Sequence, residues 1–386
     1  MTAKPLAGVR VLELARILAG PWCGQLLADL GAEVIKIERP EVGDDTRAWG
    51  PPFVANAKGE AWGSAYYHGC NRGKSSLAVD FESEAGRATI GRLAGECDAL
   101  IENFKVGGLK RFGLDAASLT ARFPRLVYCS ISGFGQDGPY AERAGYDYVI
   151  QGMSGLMDIT GEPGREPQKV GVAVVDLFTG VYASTAILAA LRRRDQSGVG
   201  AVIDLALMDC AVAMLANQAM NYLVSGHSPT RLGNAHPNIA PYQVFAVADG
   251  HVVVAVGNDL QFGALCRAIG AERIAAEPDF ATNPRRVAHR ERLVAALAPL
   301  LKAMTRETLL AKLEAAGVPA GPINRIEDVF ADPQVIHRGL RLDLVGEDGA
   351  RVAGVASPIV IDGVRMSSDK PSPGLGEANV SSESAT

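Results

Sequence analysis

An apolar run, Val170–Val175, stops at a carboxylate, Asp176. Leu-Phe-Thr-Gly follows, and then an Ala/Leu/Ile-rich pattern that closes on Arg192–Arg194. The run has the length of a buried strand or extended segment, and the pattern after it is helical. Asp176 therefore stands where a helix begins. Two readings compete there. An aspartate caps a helix start well. A carboxylate walled by apolar residues can also act as a covalent nucleophile. Gly171 and Gly180 flank it and would let a ligand approach the backbone. The choice depends on whether the rest of the chain supplies a substrate.

Other residues offer binding chemistry. Glu38-Arg39 closes a strand-like run, AEVIKIE, where nucleotide folds read a ribose, and an arginine there accommodates a ribose phosphate. Asn71, Arg72 and Lys74 in NRGKS suit anionic oxygens, or form a solvated turn. Asn103-Phe104 ends DALIENF, and Arg111 follows in LKRFG. His236 sits in the turn-rich NAHPNIAPY stretch, while His68, His227, His251, His289 and His337 are scattered without metal-ligand spacing. The six cysteines form no CxxC pair, which argues against zinc and against a disulfide framework and fits a reducing cytoplasm. No metal is expected.

Elements that would position these residues alternate along the first half. Val9–Leu14 reads as a strand, Gly20–Leu30 as a helix ended by Gly31, and Ala32–Glu38 as a second strand. Leu77–Phe81, Asp98–Glu102 and Leu126–Ile131 continue as strands, with a helix over Glu84–Gly95 and a Gly-rich loop, SGFGQDGPY. This is an α/β pattern with a parallel, Rossmann-like sheet, whose ligands bind beyond the carboxyl ends of the strands. The first turn, ARILAGP, lacks the G-x-G-x-x-G of a dinucleotide site, which counts against a nicotinamide dehydrogenase. Residues 1–200 read as the large domain, 201–225 as a linker helix, 226–318 as a smaller α+β domain, and 319–386 as a return segment that completes it and packs towards the large one. VFAVADGHVVVAVG carries a hairpin signal at Asp249-Gly250. Helices are expected over Gln261–Ile269 and Arg290–Ala316, and a chain-reversing linker over Gly317–Ile323. The Ser-rich carboxyl end is expected to fray. Hydrophobic residues make up 48% of the 386, ample for a sizeable core, and a net charge of −5 without a basic block excludes an obvious nucleic-acid surface. No signal pattern or membrane span is expected.

LAGVRVLELARILAGP, GAEVIKIERP, GDDTRAWGPPF, NRGKSSLAVD, IENF, SISGFGQDGPY, RAGYDYVIQGMSGLM and VGVAVVDLFTG, in this order, resemble the family III CoA-transferases, which include the α-methylacyl-CoA racemases. The resemblance spans about residues 5–376. It implies an acyl-CoA substrate, an interlocked homodimer with sites where two chains meet, and Asp176 as nucleophile. It places Ile17, Leu18, Arg39, Val79, Asp80, Asn103, Phe104, Arg111 and Tyr146 at CoA. The family's formyl-CoA members have a glycine-rich loop where this chain has Gly233–Tyr242. The chain most resembles the branch that moves CoA from succinyl-CoA to dicarboxylates such as glutarate or hydroxymethylglutarate. A dicarboxylyl group keeps one free carboxylate, which arginine matches in two-point fashion. Arg47 and His236 are the candidates for that task. Arg47 serves equally well as an organiser of its own loop. Racemase relatives carry a base in a G-H-D pattern. This chain has Gly145-Tyr146-Asp147, and a phenol of pKa about 10 is a poor base near neutrality. A CoA-binding protein without turnover is the alternative from another class.

Overall fold

The computed structural model describes residues 4–346 and 349–379. Its chain divides into two compact units, residues 4–156 with 169–225 and 333–379, and residues 157–168 with 226–332. The first unit is built on six parallel strands. In chain order they are β1 (Arg10–Glu13), β2 (Glu33–Glu38), β3 (Lys74–Ala78), β4 (Ala99–Glu102), β5 (Val127–Ser132) and β6 (Ala201–Ala206). Their spatial order is β3-β2-β1-β4-β5-β6, and every neighbouring pair is parallel. The order reverses between β1 and β4, the place where doubly wound sheets open a crevice for ligands.

Both faces of this sheet are covered, because its strands alternate apolar residues to each side. Val11, Val34, Ile101 and Cys129 enter one core, and Leu12, Ile35, Leu100 and Tyr128 enter the other. The first core is closed by α1 (Ala19–Asp29) and by a long helix over Val174–Ser197. The second is closed by α2 (Glu84–Glu96) through Ile90, Leu93 and Ala94. Between α2 and the long helix lies α3 (Asp147–Met153), so the long helix is α4; α5 (Leu207–Met214) and α6 (Ala216–Ser225) follow β6. By length and composition α4 would suffice for a membrane span, yet Val175, Ala183, Ile187 and Leu191 are buried in the first core.

Several expectations change at this level. Residues 201–206 are not part of a linker helix but the sixth strand; their alternating exposure, set by an edge position, hides a strand in a short sequence. The third strand begins at Lys74, three residues before the expected Leu77. Arg72 and Lys74 are not solvated and hold no external anion. Arg72 is buried and clasps Asp29 at 2.6 and 3.1 Å, while the Lys74 ammonium lies 2.8 Å from Glu13. Gly180 leaves room for α1 rather than for a ligand: a Cβ there would stand 2.8 Å from the Ala19 carbonyl oxygen.

The second unit is centred on three antiparallel strands, β7 (Tyr242–Val247), β8 (Gly250–Ala255) and β9 (Ala320–Pro322), in the order β9-β8-β7. The hairpin turns at Asp249-Gly250, with Gly250 at φ +150°. The expected linker at 317–323 thus contains a strand. The expected helix over 290–316 is two helices, α7 (Arg290–Lys302) and α8 (Arg306–Ala315), with Thr305 capping the second. The Arg341–Val345 and Arg351–Val355 hairpin groups with the first unit, not the small one, tied there by the Arg72 bond to the Val355 carbonyl. Of the Ser-rich end expected to fray, residues 367–386, the part up to 379 is held instead: Ser368 and Ser372 are buried, and Asn379 bonds both the N–H and the carbonyl of Ala78; residues 380–386 lie outside the described residues.

Candidate active site

Beyond the carboxyl ends of β1, β4 and β5 lies a cleft of about 540 Å³, walled by 16–19, 103–108, 131–133, 141 and 143–146, with Asp176 and Leu207 also on its lining. The sheet reversal between β1 and β4 accounts for its position. The turn from β1 into α1 is held from both sides. Asn103 accepts the Arg16 N–H at 2.8 Å and donates to the Arg16 carbonyl at 2.7 Å. Asp44 accepts the Ile17 N–H at 3.3 Å. Ile17 adopts φ +69°, a left-handed conformation that costs a β-branched residue on the order of 1–3 kcal/mol. Those bonds maintain it, and with it the wall formed by Ile17, Leu18 and Ala19. Burial acts to raise the Asp44 carboxyl, but Lys36 at 2.9 Å and the Thr46 N–H outweigh it and hold the pKa at about 2.

Asp176 is the third residue of α4, not its cap. Ala173 occupies the cap position and contributes no side-chain bond. The cap comes from elsewhere: Asp147 Oδ1 accepts the N–H of Val175 at 2.8 Å and of Asp176 at 3.2 Å. Asp147 Oδ2 accepts from Gln151 Nε2 at 2.6 Å, and Gln151 Oε1 accepts the Val170 N–H at 2.9 Å. The Asp176 carboxylate itself has no hydrogen bond or ion pair among the described residues and faces the cleft. Burial and the neighbouring Asp147 charge push its pKa from 3.8 up to about 7. An unpartnered carboxylate of raised basicity is suited to attack an electrophilic carbonyl. The helix start offers that reaction no free donor, contrary to what its position suggests. Val174 bonds back to the Val172 carbonyl, Asp147 takes the next two N–H groups, and Leu177 bonds to the Ala173 carbonyl.

The model of CoA-transferase family III matches residues 6–379. The chain belongs to CoA-transferase family III. It is 55% identical over 373 residues to a succinate–glutarate CoA-transferase of Agrobacterium fabrum, covering 97% of this chain and 93% of that protein. It is 41% identical over 374 residues to the succinyl-CoA:glutarate CoA-transferase of Homo sapiens, covering 97% of this chain and 84% of that one. Among solved structures, a CaiB/BaiF family protein from Brucella suis superposes with a TM-score of 0.88 at 55% identity, over the whole of both chains. The protein is thus an enzyme of the CoA-transferase class, and its substrates are CoA thioesters and carboxylic acids.

In this CoA-transferase, Ile17, Leu18, Asn103, Phe104, Arg111 and Tyr146 all line the one cleft with Asp176. Phe104 and Phe112 each meet Phe81 edge to face. Arg111 is exposed, 3.2 Å from Glu82. Arg39 lines a small adjoining recess with Arg16, Phe81 and Phe104, and pairs with Asp45 at 2.7 Å. Val79 and Asp80 do not line the cleft. Val79 is core, and Asp80 accepts the Glu82 N–H. Arg47 is not free to receive a carboxylate of the substrate in this geometry. Its Nε and Nη2 grip Glu38 at 2.8 and 2.6 Å, its guanidinium stacks on Tyr67 at 3.8 Å, and it bonds the Pro373 carbonyl. It orders its own loop. His236 belongs to the second unit, where its Nδ1 accepts the Asn238 N–H and its carbonyl is held by Arg290. Sequence reasoning passed over Asp147 and Gln151, although their four-residue spacing in GYDYVIQ marks one helix face. It also passed over Arg16, Lys105 and Arg143 on the cleft wall. Single cations in loops give no pattern to find.

Proposed function

We propose that the enzyme transfers CoA from succinyl-CoA to a dicarboxylic acid through covalent intermediates on Asp176. The observation that carries this is the unpartnered, cleft-facing carboxylate of Asp176, in a chain similar across nearly its whole length to succinate–glutarate CoA-transferases. Asp176 attacks the thioester carbonyl of succinyl-CoA, giving a mixed anhydride and CoA thiolate. The thiolate attacks the aspartyl carbonyl, releasing succinate and leaving an aspartyl-CoA thioester. The acceptor carboxylate attacks that thioester and expels the thiolate. The thiolate then attacks the acceptor's carbonyl in the new anhydride, which frees Asp176. No acyl energy is lost to hydrolysis, and two moderate steps replace one difficult one. The partly buried position of Asp176 disfavours attack by water on the anhydrides. Two cations on the cleft wall, Lys105 and Arg143, the latter stacked on Tyr140, suit the charges of CoA and of a distal carboxylate. The same reading places the enzyme in the cytoplasm, as a homodimer.

The test joins trapping to turnover. Wild-type enzyme incubated with succinyl-CoA and quenched with hydroxylamine is expected to carry a hydroxamate on the Asp176 peptide. Asp176→Asn is expected to fold, bind CoA and lose transfer by a factor of about 10⁴ or more. Succinyl-CoA is expected to outperform butyryl-CoA as donor. Equal use of the two would remove the dicarboxylate assignment, and an unmodified peptide during turnover would remove the covalent route.

A further inference from the structure

Asp147 reaches from α3 to the backbone of Asp176 itself. Its two oxygens are fully used: one takes two N–H groups at the start of α4, and the other takes the amide of Gln151. Gln151 is completely buried, and its own oxygen holds Val170. The pair therefore clamps the segment 170–176 at both ends. A neutral asparagine could still accept the two N–H groups at the start of α4, though its amide nitrogen could not accept the bond from Gln151. What a carboxylate adds is a negative charge next to the reacting one. The cleft has cations on its wall, Arg16, Lys105, Arg111 and Arg143, and Tyr66 lies close enough that the Asp176 charge helps to raise its phenol. None of them pairs with Asp176.

Resting on Asp176 as the nucleophile, we propose that Asp147, seated by Gln151, is a positioning residue that makes the free Asp176 carboxylate the strained state of the cycle. In the resting enzyme the Asp147 carboxylate lies 3.2 Å from the backbone nitrogen of Asp176, whose own carboxylate has no partner among the described residues. When Asp176 attacks an acyl-CoA, a C–O bond forms, the C–S bond breaks, and the electron pair leaves with the thiolate. The aspartyl group is then neutral, and the repulsion from Asp147 is gone. The aspartyl-CoA thioester is neutral at the same atoms. Asp147 thus favours both acylated states over the free acid anion and keeps the attacking oxygen basic. Gln151 fixes the distance over which this acts.

The experiment is the pH dependence of single-turnover acylation by succinyl-CoA, read as Asp176 adduct by mass spectrometry. In the wild type the rate rises with pH through the ionisation of Asp176. In Asp147→Asn the rising limb is expected to move to lower pH by about one unit or more, with a lower plateau, because the repelling charge is gone. Asp147→Glu keeps the charge and is expected to keep the limb near its wild-type place. Gln151→Ala is expected to lower the plateau severalfold with little change in the KM for succinyl-CoA. A purely structural cap would lower amplitudes and leave the Asp147→Asn limb unmoved, which overturns the proposal. Should Asp147→Asn fail to fold, ¹³C-aspartate infrared difference spectra, wild type minus Asp176→Asn, report the same titration. A carboxyl that titrates near 4 overturns the proposal there. Absence of any Asp176 adduct in the wild type would instead remove the nucleophile reading on which it rests.

Discussion

Asp176 makes a demand on the fold that can be measured without any assay of transfer. Its folded pKa of about 7 lies above the ordinary 3.8, so the folded state holds the proton more tightly than the unfolded chain. Between these values the unfolded state is the more ionised, and stability falls as pH rises. The penalty is absent below about pH 4, grows up to about pH 7, and then stays constant at about 4 kcal/mol at most. Asp176→Asn keeps the shape and removes the charge. Its unfolding midpoint is expected to exceed that of the wild type at pH 8, with the advantage shrinking steadily to pH 4. A wild type equal to the variant at pH 8 would show that the carboxylate is not held under strain. At this scale the sequence was informative where a residue type changes abruptly, as at Val175-Asp176. It was less informative where a side chain's partner comes from a distant segment. Arg47 in GDDTRAW reads equally as a substrate cation or as an organiser of its loop, and only the fold, through Glu38 and the Pro373 carbonyl, decides for the second. Asp147 reads as an ordinary acidic residue, and only the fold brings it to the N–H groups of Val175 and Asp176.

The elements that carry the cleft are joined by a buried ionic cluster. Lys36 on β2 contacts Glu13 on β1 at 3.0 Å, Asp44 at 2.9 Å and the Ala15 carbonyl at 2.8 Å. Lys74 on β3 reaches the same Glu13 and the Pro21 carbonyl in α1. These side chains are wholly or almost wholly buried, so charges without partners would be costly. The cluster ties three strands to the turn that contains Ile17 and Leu18, and so links sheet assembly to the shape of the site. Lys36→Met would leave Glu13 with one cation and Asp44 with none. It is expected to cost about 3–5 kcal/mol, seen as a lower denaturant midpoint. Asp44, held at about 2, contributes stability above its ordinary 3.8 that is lost as pH falls towards 2, about 2 kcal/mol in the wild type. In Lys36→Met that acid-side loss is expected to disappear. The strand alternation and the first βαβ unit were legible because apolar runs of 4–6 residues between glycines have few other readings. The cluster was not, because a lysine inside an apolar run looks the same whether it faces water or two carboxylates. The sixth strand was missed for a related reason: Val202 and Asp204 are exposed, so no apolar run marks it.

For the molecule as a whole, the apolar surface left uncovered is the feature that asks for a partner. Helix α6 contributes no buried residue, although its ten residues include Met220, Tyr222, Leu223 and Val224. Leu223 is 71% exposed and Val224 80%, and the same unit also exposes Tyr148, Val149, Phe178 and Tyr182. Patches of this kind mark contact surfaces. A second copy of the chain is the occupant that the family resemblance implies, with active sites completed where two chains meet. The wild type is therefore expected to sediment as a dimer at micromolar concentration. Leu223→Asp with Val224→Asp places two charges on that surface. Burying each without a partner is unfavourable, and an interlocked pair separates only by unfolding, so the denaturant midpoint of the dimer is expected to fall. Because the site is expected to need both chains, transfer activity of this double variant should be lost in the same denaturant range as the dimer. On a monomeric protein the same exposed substitutions would move neither sedimentation nor the midpoint. A wild type that sediments as a monomer while retaining full activity would leave the α6 surface for another partner and the cleft complete within one chain.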